Sequence, residues 1–368
     1  MRRAAVAVAV AVPVLLIAAA AVAVAGKSSD ERQALRLQSL RAEGPAGLQR
    51  LLEANADVLS RGPRPGDGAW RRAVAEIDAV AAQRDAWASK LYWYTDLAAA
   101  KAAAAAESKP IVSLRLLGKL DTELSCANSR FFRTTLYPDP RVNSLLREKF
   151  VLHWSSERPV PVVTVDFGDG RTMKRTVTGN SIHYVLDADG RPLDALPGLY
   201  SATAFVAKLS NALALAAEKP SDARLREWHA AAAAKLEETG PTSSYFTEGL
   251  APEVVAVMRA KGAAAAAPPN ARAAARVAVS KTAVEDPVVR ALMNLQGSIA
   301  QDTIQNEFNL HRQIHQWFAA GEPVVRSFET FNERVYAELF LTPRSDPWLG
   351  LAPGDAYPAL QGDGLAQK

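Results

Sequence analysis

The chain has 368 residues, a net charge of +4 and 49% hydrophobic residues, enough for two compact domains with apolar cores. Its single cysteine, Cys126, excludes an intrachain disulfide. The basic residues form no stripe interleaved with aromatic residues, so nothing in the sequence supports a nucleic-acid partner.

The first 26 residues have the pattern of a signal peptide or a membrane anchor. Two arginines follow Met1, and residues 4–25 carry no charged side chain over a length that could span a bilayer. Small residues precede Gly26, so a cleaved signal peptide and a retained anchor both fit. We therefore expect a periplasmic or secreted protein, with the membrane as a partner if residues 4–25 are retained.

Residues 27–90 are predicted to form a helical N-terminal region, because leucines recur there at three- and four-residue steps. The pair Gly44-Pro45 divides this run into two helices. The aromatic run Leu91–Tyr94 could be a ligand platform, but we interpret it as core. Thr95 is the predicted cap of the helix that follows.

Residues 91–217 are predicted to form an α/β domain. Short apolar runs at residues 111–116, 150–154 and 182–187 predict strands, and the last of them closes in an Asp-Ala-Asp-Gly turn. A final helix is predicted over residues 202–217.

The order of these elements resembles the thioredoxin-like superfamily. The resemblance rests on a helix ending in Lys109-Pro110, a strand, the loop Asp121-Thr-Glu-Leu-Ser-Cys126, a helix rich in Phe and Arg, and a hairpin before Pro197-Gly198. It implies a thioredoxin-like central domain, here with helical N-terminal and C-terminal extensions.

This sequence departs from that superfamily at the residues that carry its chemistry. Thioredoxin-like enzymes use Cys-x-x-Cys, whereas the four positions here read Glu123-Leu-Ser-Cys126. The position of the family's cis-proline corresponds to Ser181. The resemblance therefore implies no dithiol activity, with Cys126 and Glu123 as the remaining catalytic candidates. A partner is expected to contact Ser125, Ser181 and Ile182.

An insertion at residues 159–178 is predicted to be a β-hairpin, because two β-rich runs flank a Gly-rich turn. It could be a flap near the motif, but an edge hairpin that enlarges the central sheet is the simpler interpretation.

Residues 218–270 are predicted to be a helical linker region, and residues 271–368 a helical C-terminal domain with an ordered tail. A long helix predicted there carries Glu307, His311 and His315 at four-residue spacing, so the three share a face. Two histidines at i and i+4 with a carboxylate can bind a divalent metal. We prefer a structural interpretation, because such spacing also gives ordinary i,i+4 pairs.

Two functions follow from this sequence. The first is an exported thioredoxin-like binding or assembly module for a protein or extended peptide, without dithiol activity and without a cofactor. The second is a monothiol redox protein in which Cys126 forms a mixed disulfide or reacts with peroxide. Whether the protein is an enzyme is left open.

Overall fold

The computed structural model describes residues 28–239, 295–349 and 351. The leader, the alanine-rich part of the linker and the predicted start of the long C-terminal helix lie outside the described residues. Contacts divide the chain into two units, residues 1–81 and residues 82–368. Within the part of the chain so described, no helix combines the length and the apolar character needed to cross a membrane.

The first unit is helical. Its helices are α1 (Ser29–Ala42), α2 (Pro45–Ala54), α3 (Ala56–Ser60) and α4 (Gly68–Ala81). Ser28 and Glu31 form a capping box at the start of α1. Gly47 allows α1 and α2 to approach closely, because a Cβ there would lie 1.8 Å from the carbonyl oxygen of Leu40. The predicted break at Gly44-Pro45 is confirmed.

The second unit contains all six strands that the structure describes. Its elements up to the end of the last strand are α5 (Ala86–Ser89), α6 (Leu97–Glu107), β1 (Ile111–Leu117), α7 (Ala127–Phe131) with a π-helical turn (Phe132–Leu136), α8 (Pro140–Lys149), β2 (Val151–Arg158), β3 (Val162–Asp166), β4 (Thr172–Thr176), β5 (Ser181–Leu186) and β6 (Pro192–Pro197). The helices that follow are α9 (Ala202–Ala217), α10 (Asp222–Thr239), α11 (Leu295–Gln305) with a π-helical segment (Asn306–His311), α12 (Arg312–Ala319), a 3₁₀ turn (Pro323–Arg326) and α13 (Phe328–Arg334) with a π-helical turn (Val335–Leu339).

A four-stranded mixed sheet forms the centre of this unit, with the strand order β2-β1-β5-β6. Strand β1 is parallel to β2 and antiparallel to β5, and β5 is antiparallel to β6. Every residue of β1, β5 and β6 is buried, so both faces of the sheet are covered. The fold is therefore mixed α/β, as the sequence predicts.

Neighbouring residues of β5 show what covers each face, because successive side chains of a strand point in opposite directions. His183 packs against Phe132 and Phe205, which belong to the turn after α7 and to α9. Tyr184 packs against Phe328 and Phe331 of α13. The C-terminal helices therefore form part of the same apolar core as the sheet.

Two sequence-based expectations are wrong in detail. The insertion hairpin does not enlarge the central sheet, since β3 and β4 pair with each other as a separate two-stranded sheet. The cap of α6 is Asp96, whose side chain accepts a hydrogen bond from the Ala99 amide at 2.7 Å, and not Thr95. Leu91, Tyr92 and Trp93 are buried as expected, whereas Tyr94 is half-buried and forms a bridge with His153 of β2.

Candidate functional site

The motif loop, residues 121–126, connects β1 to α7 and is fastened by a buried arginine. Arg133 donates hydrogen bonds to the carbonyl oxygens of Thr122 at 2.6 Å and Glu123 at 3.2 Å. It also donates to the hydroxyl of Ser125 at 3.0 Å. Since hydrogen bonds from a charged donor are strong, this loop is held in one conformation.

The two catalytic candidates do not share an exposed site. Cys126 is 0% exposed and belongs to the apolar core. The side chain of Glu123 is 79% exposed, and its carboxylate lies 3.8 Å from the guanidinium of Arg84. A substrate disulfide could reach the thiol only if the loop opened, because thiol exchange needs direct attack on sulfur.

The three residues expected to contact a partner are covered. Ser125, Ser181 and Ile182 are all buried, which corrects the expectation of an accessible surface there. Asn128 donates a hydrogen bond to the hydroxyl of Ser181 at 2.9 Å. Thr176 of β4 donates to the carbonyl oxygen of Ser125 at 3.1 Å, so the insertion hairpin covers this side of the loop.

The second candidate site is a buried cluster of charged and histidine side chains. The C-terminal helix supplies Glu307, His311 and His315, which are all buried. Three further residues join them from three other elements: Asp194 of β6, Lys208 of α9 and His229 of α10. We name these six residues the histidine–carboxylate cluster.

His311 lies between two carboxylates. Its Nδ1 is 2.9 Å from Oε2 of Glu307, and its Nε2 is 2.8 Å from Oδ1 of Asp194. Burial opposes the charged form of the imidazole, but the attraction of the two carboxylates outweighs it and raises the pKa of His311 to about 9. His311 is therefore an imidazolium at pH 7, and it donates a hydrogen bond to each carboxylate.

The pKa values of the two carboxyl groups, Asp194 and Glu307, are lowered. Burial alone would raise the pKa of Asp194, but the charge of His311 holds it well below its usual value. Burial likewise opposes ionisation of Glu307, but His311 and the ion pair with Lys208 lower its pKa. Both carboxylates are ionised at pH 7, so their two negative charges balance the positive charges of His311 and Lys208.

The remaining two histidines are neutral. Burial lowers the pKa of His229 to about 4, and burial together with the charge of His311 lowers the pKa of His315 well below 6.5. Their Nδ1 atoms lie 2.7 Å apart. Nε2 of His229 is 3.0 Å from the carbonyl oxygen of Leu193.

A cavity of about 460 Å³ adjoins the cluster, within the size range of ligand pockets. Its lining combines polar cluster residues, a second lysine and apolar side chains: Asp194, His311, His315, Lys208, Lys235, Trp228 and Leu236. The cluster is therefore buried but borders a space that could hold a small molecule.

The sequence pattern predicts only part of this cluster. The helical spacing predicts that Glu307, His311 and His315 share a face, and the structure brings the three together. Asp194, Lys208 and His229 are missed, because they lie on elements far apart in the chain. Asp194 could have been recognised from the sequence, since it is the one charged residue of the otherwise apolar strand Pro192–Pro197.

No protein-family model matches the chain, and no curated protein matches its sequence. Neither site therefore takes a function from a relative.

Proposed function

We propose that this protein is an exported thioredoxin-like module that binds a protein segment and lacks dithiol exchange activity. The fold part of the proposal is supported by the strand order β2-β1-β5-β6 with β5 antiparallel to its neighbours. The order of elements along the chain, a strand, the motif loop, a helix, a strand and a later hairpin, is the one on which the resemblance rests. The leader sequence supports export.

The chemistry of the motif loop supports the absence of dithiol activity. Glu123 stands where the superfamily has its nucleophilic cysteine, and a carboxylate cannot attack a disulfide. Cys126 is buried and cannot form a disulfide within the chain. The monothiol alternative needs an accessible thiolate, and no observation favours one.

The observation that carries the binding proposal is the apolar face of the insertion hairpin. Val163, Val165 and Phe167 alternate along the chain and are exposed, Phe167 by 53%. Residues two apart in a strand share a face, and Met173 of β4 pairs with Val165 on it. Contiguous exposed apolar surface of this kind marks interaction sites in soluble proteins.

The edges of the hairpin also offer backbone groups for hydrogen bonding to another strand. Within the described residues, β3 and β4 pair only with each other, so each has an outer edge. An extended peptide can add to such an edge through backbone hydrogen bonds, while its alternate side chains contact the apolar face. The hairpin lies beside the motif loop, since Thr176 contacts Ser125. We therefore propose an extended segment with apolar residues at alternate positions as the partner.

Selection from a displayed library of random peptides tests this proposal. We expect the purified protein to enrich peptides with alternating apolar residues. Phe167→Asp should weaken their binding about tenfold or more, because a charge replaces a central apolar contact. Trp348→Asp is the matched control, since Trp348 is also an exposed aromatic residue but lies outside the hairpin.

Two results would count against the proposal. Selected peptides that bind Phe167→Asp as tightly as the parent would remove the hairpin as the binding surface. Reduction of insulin by dithiothreitol that the purified chain accelerates catalytically over dithiothreitol alone would contradict the absence of dithiol activity.

A further inference from the structure

Three side chains of the histidine–carboxylate cluster have the arrangement of a metal-ligand set. Asp194, His229 and His315 each offer one ligand atom, and these atoms all lie within 4.8 Å of one another. In a tetrahedral site with bonds of about 2.1 Å, ligand atoms are about 3.4 Å apart. The three residues come from β6, α10 and α12, so the tertiary fold holds them together.

Hydrogen bonding determines which nitrogen of His229 is available. Its Nε2 is 3.0 Å from the carbonyl oxygen of Leu193, which can only accept a hydrogen bond. Nε2 therefore carries the proton of the neutral ring, and Nδ1 has the lone pair. Metal-bound histidines commonly donate their second N–H to a backbone carbonyl in this way.

That lone pair faces a second nitrogen. Nδ1 of His315 lies 2.7 Å from Nδ1 of His229. The ring of His229 is also held in place by stacking on Phe318, at a centroid distance of 4.0 Å and an angle of 10°. Since Nδ1 of His229 has the lone pair, Nδ1 of His315 donates the hydrogen bond between the two rings. Both nitrogens are thus fixed in position, and both could bind one ion once the His315 proton moved to Nε2.

One carboxylate oxygen of Asp194 accepts hydrogen bonds, and the other is available to bind an ion. Its Oδ1 accepts hydrogen bonds from Nε2 of His311 and from the Ala195 amide, both at 2.8 Å. Oδ2 remains for coordination. His311 would act as the group that orients this carboxylate, a common role for a residue just outside the ligand set.

The alternative set of Glu307, His311 and His315 also lies close together. However, both ring nitrogens of His311 already contact carboxylate oxygens. His311 could bind an ion only by giving up a contact with a charged carboxylate, whereas the first set gives up only the hydrogen bond between two neutral rings.

We propose that Asp194, His229 and His315 bind one divalent transition metal ion, Zn²⁺ or Fe²⁺, with a further coordination position toward the adjacent cavity. Two histidines and one carboxylate are a ligand set that both ions use at sites open to small molecules. Asp194 and His315 line the cavity, and so do Lys208 and Lys235, whose charge would favour an anion as the additional ligand.

Metal titration of the full chain tests this site. After treatment with a chelator, the protein should bind one equivalent of Co²⁺ or Zn²⁺, measured by calorimetry and by the visible absorption of tetrahedral Co²⁺. His229→Gln and His315→Gln should abolish stoichiometric binding while leaving the circular dichroism spectrum unchanged. His311→Gln should weaken binding by about 10- to 100-fold, since it removes only the orienting contact.

His153→Gln is the matched control, because His153 is a buried histidine outside the cluster, and it should bind metal like the parent. If the ligand variants do not fold, the parent chain still provides a test, because Zn²⁺ should raise its Tm. A parent chain that binds no stoichiometric metal and shows no change in Tm would overturn the proposal. Binding that survives His229→Gln but is lost in Glu307→Gln would overturn it in favour of the alternative set.

Discussion

Two buried side chains, Arg133 and Cys126, determine the chemistry of the motif loop. Arg133 donates hydrogen bonds to two carbonyl oxygens and to Ser125, so a buried guanidinium holds the motif loop. Cys126 follows directly and lies in the apolar core. The thiol therefore behaves as a small apolar group as long as the loop stays closed.

The reactivity of Cys126 should reflect this burial. We expect a disulfide reagent to modify the native thiol at least about 100-fold more slowly than the urea-unfolded thiol, because reaction requires the loop to open. The rate can be followed by absorbance of the released thiolate. A Cys126→Ala/Thr135→Cys variant, with its thiol at an exposed position of the same helical segment, should react rapidly when native. Equal rates for the native and unfolded parent chain would contradict the closed loop.

His183 should make the fold sensitive to acid. Burial lowers its pKa to about 3, and Nε2 lies 2.8 Å from the hydroxyl of Tyr137. Between pH 6.5 and about 3 the unfolded chain binds a proton here that the native chain does not. The free energy of unfolding therefore falls as the pH falls, by about 1.4 kcal/mol per unit for this residue.

Urea unfolding at pH 7 and pH 4.5 measures this effect. The parent chain should lose about 2–3 kcal/mol more than His183→Gln over that interval. The difference between the two proteins cancels the contributions of other titrating groups. Parallel losses in the two proteins would show that His183 is not the source.

At the scale of secondary-structure elements, a buried charge connects the central strand to the C-terminal helices. Arg115 of β1 forms ion pairs with Glu157 of β2 and Glu329 of α13. Asn332 of α13 donates a hydrogen bond to Glu157 at 2.8 Å. The buried charge of Arg115 is therefore compensated within the sheet by Glu157, and α13 adds a second carboxylate and a hydrogen bond to this pair.

The two carboxylates that face Arg115 should differ in importance because they differ in burial. The side chain of Glu157 is 3% exposed and that of Glu329 is 54% exposed. We expect Glu157→Gln to lower the free energy of unfolding by about 3 kcal/mol, because a buried charge loses its partner. Glu329→Gln should cost less than about 1 kcal/mol, since water replaces the lost contact. Urea unfolding of both variants provides the comparison, and similar losses would refute the role of burial.

At the scale of the whole second unit, sheet and C-terminal helices share one core. Phe331 of α13 is fully buried and packs against Tyr184 of β5 at a ring distance of 5.3 Å and Phe318 of α12 at 5.4 Å. The contact with Tyr184 joins segments more than 130 residues apart in sequence. We therefore expect the sheet and these helices to unfold together.

Phe331→Ala tests this cooperation. The substitution should cost about 3–5 kcal/mol, as for other large-to-small changes in a core. Hydrogen exchange should then accelerate at the amides of β1 and β5 as well as those of α13. Trp348→Ala removes an exposed aromatic residue and should cost less than about 1 kcal/mol. Faster exchange confined to α13 would mean that the helix opens independently of the sheet.

Short-range patterns in the sequence determine much of the local structure. The helix predicted over residues 202–217 has these bounds in the structure, and the strand predicted over residues 111–116 extends by one residue to Leu117. The sequence predicts Thr95 as the cap of α6, whereas the structure has Asp96. Both are good capping residues, and only the backbone geometry distinguishes them. The pairing of the insertion hairpin could not be predicted either, since alternation indicates a strand but not its neighbour.

The two candidate sites also combine features that the sequence predicts with features that depend on the fold. Composition alone shows that Cys126 has no partner thiol within the chain. Helix geometry is local, so the spacing of Glu307, His311 and His315 is enough to predict that they share a face. The burial of Cys126 and the approach of Asp194, Lys208 and His229 to those residues follow from the fold and from no local pattern. Such convergence depends on how distant elements pack, and packing arises from contacts along the whole unit that no local spacing encodes.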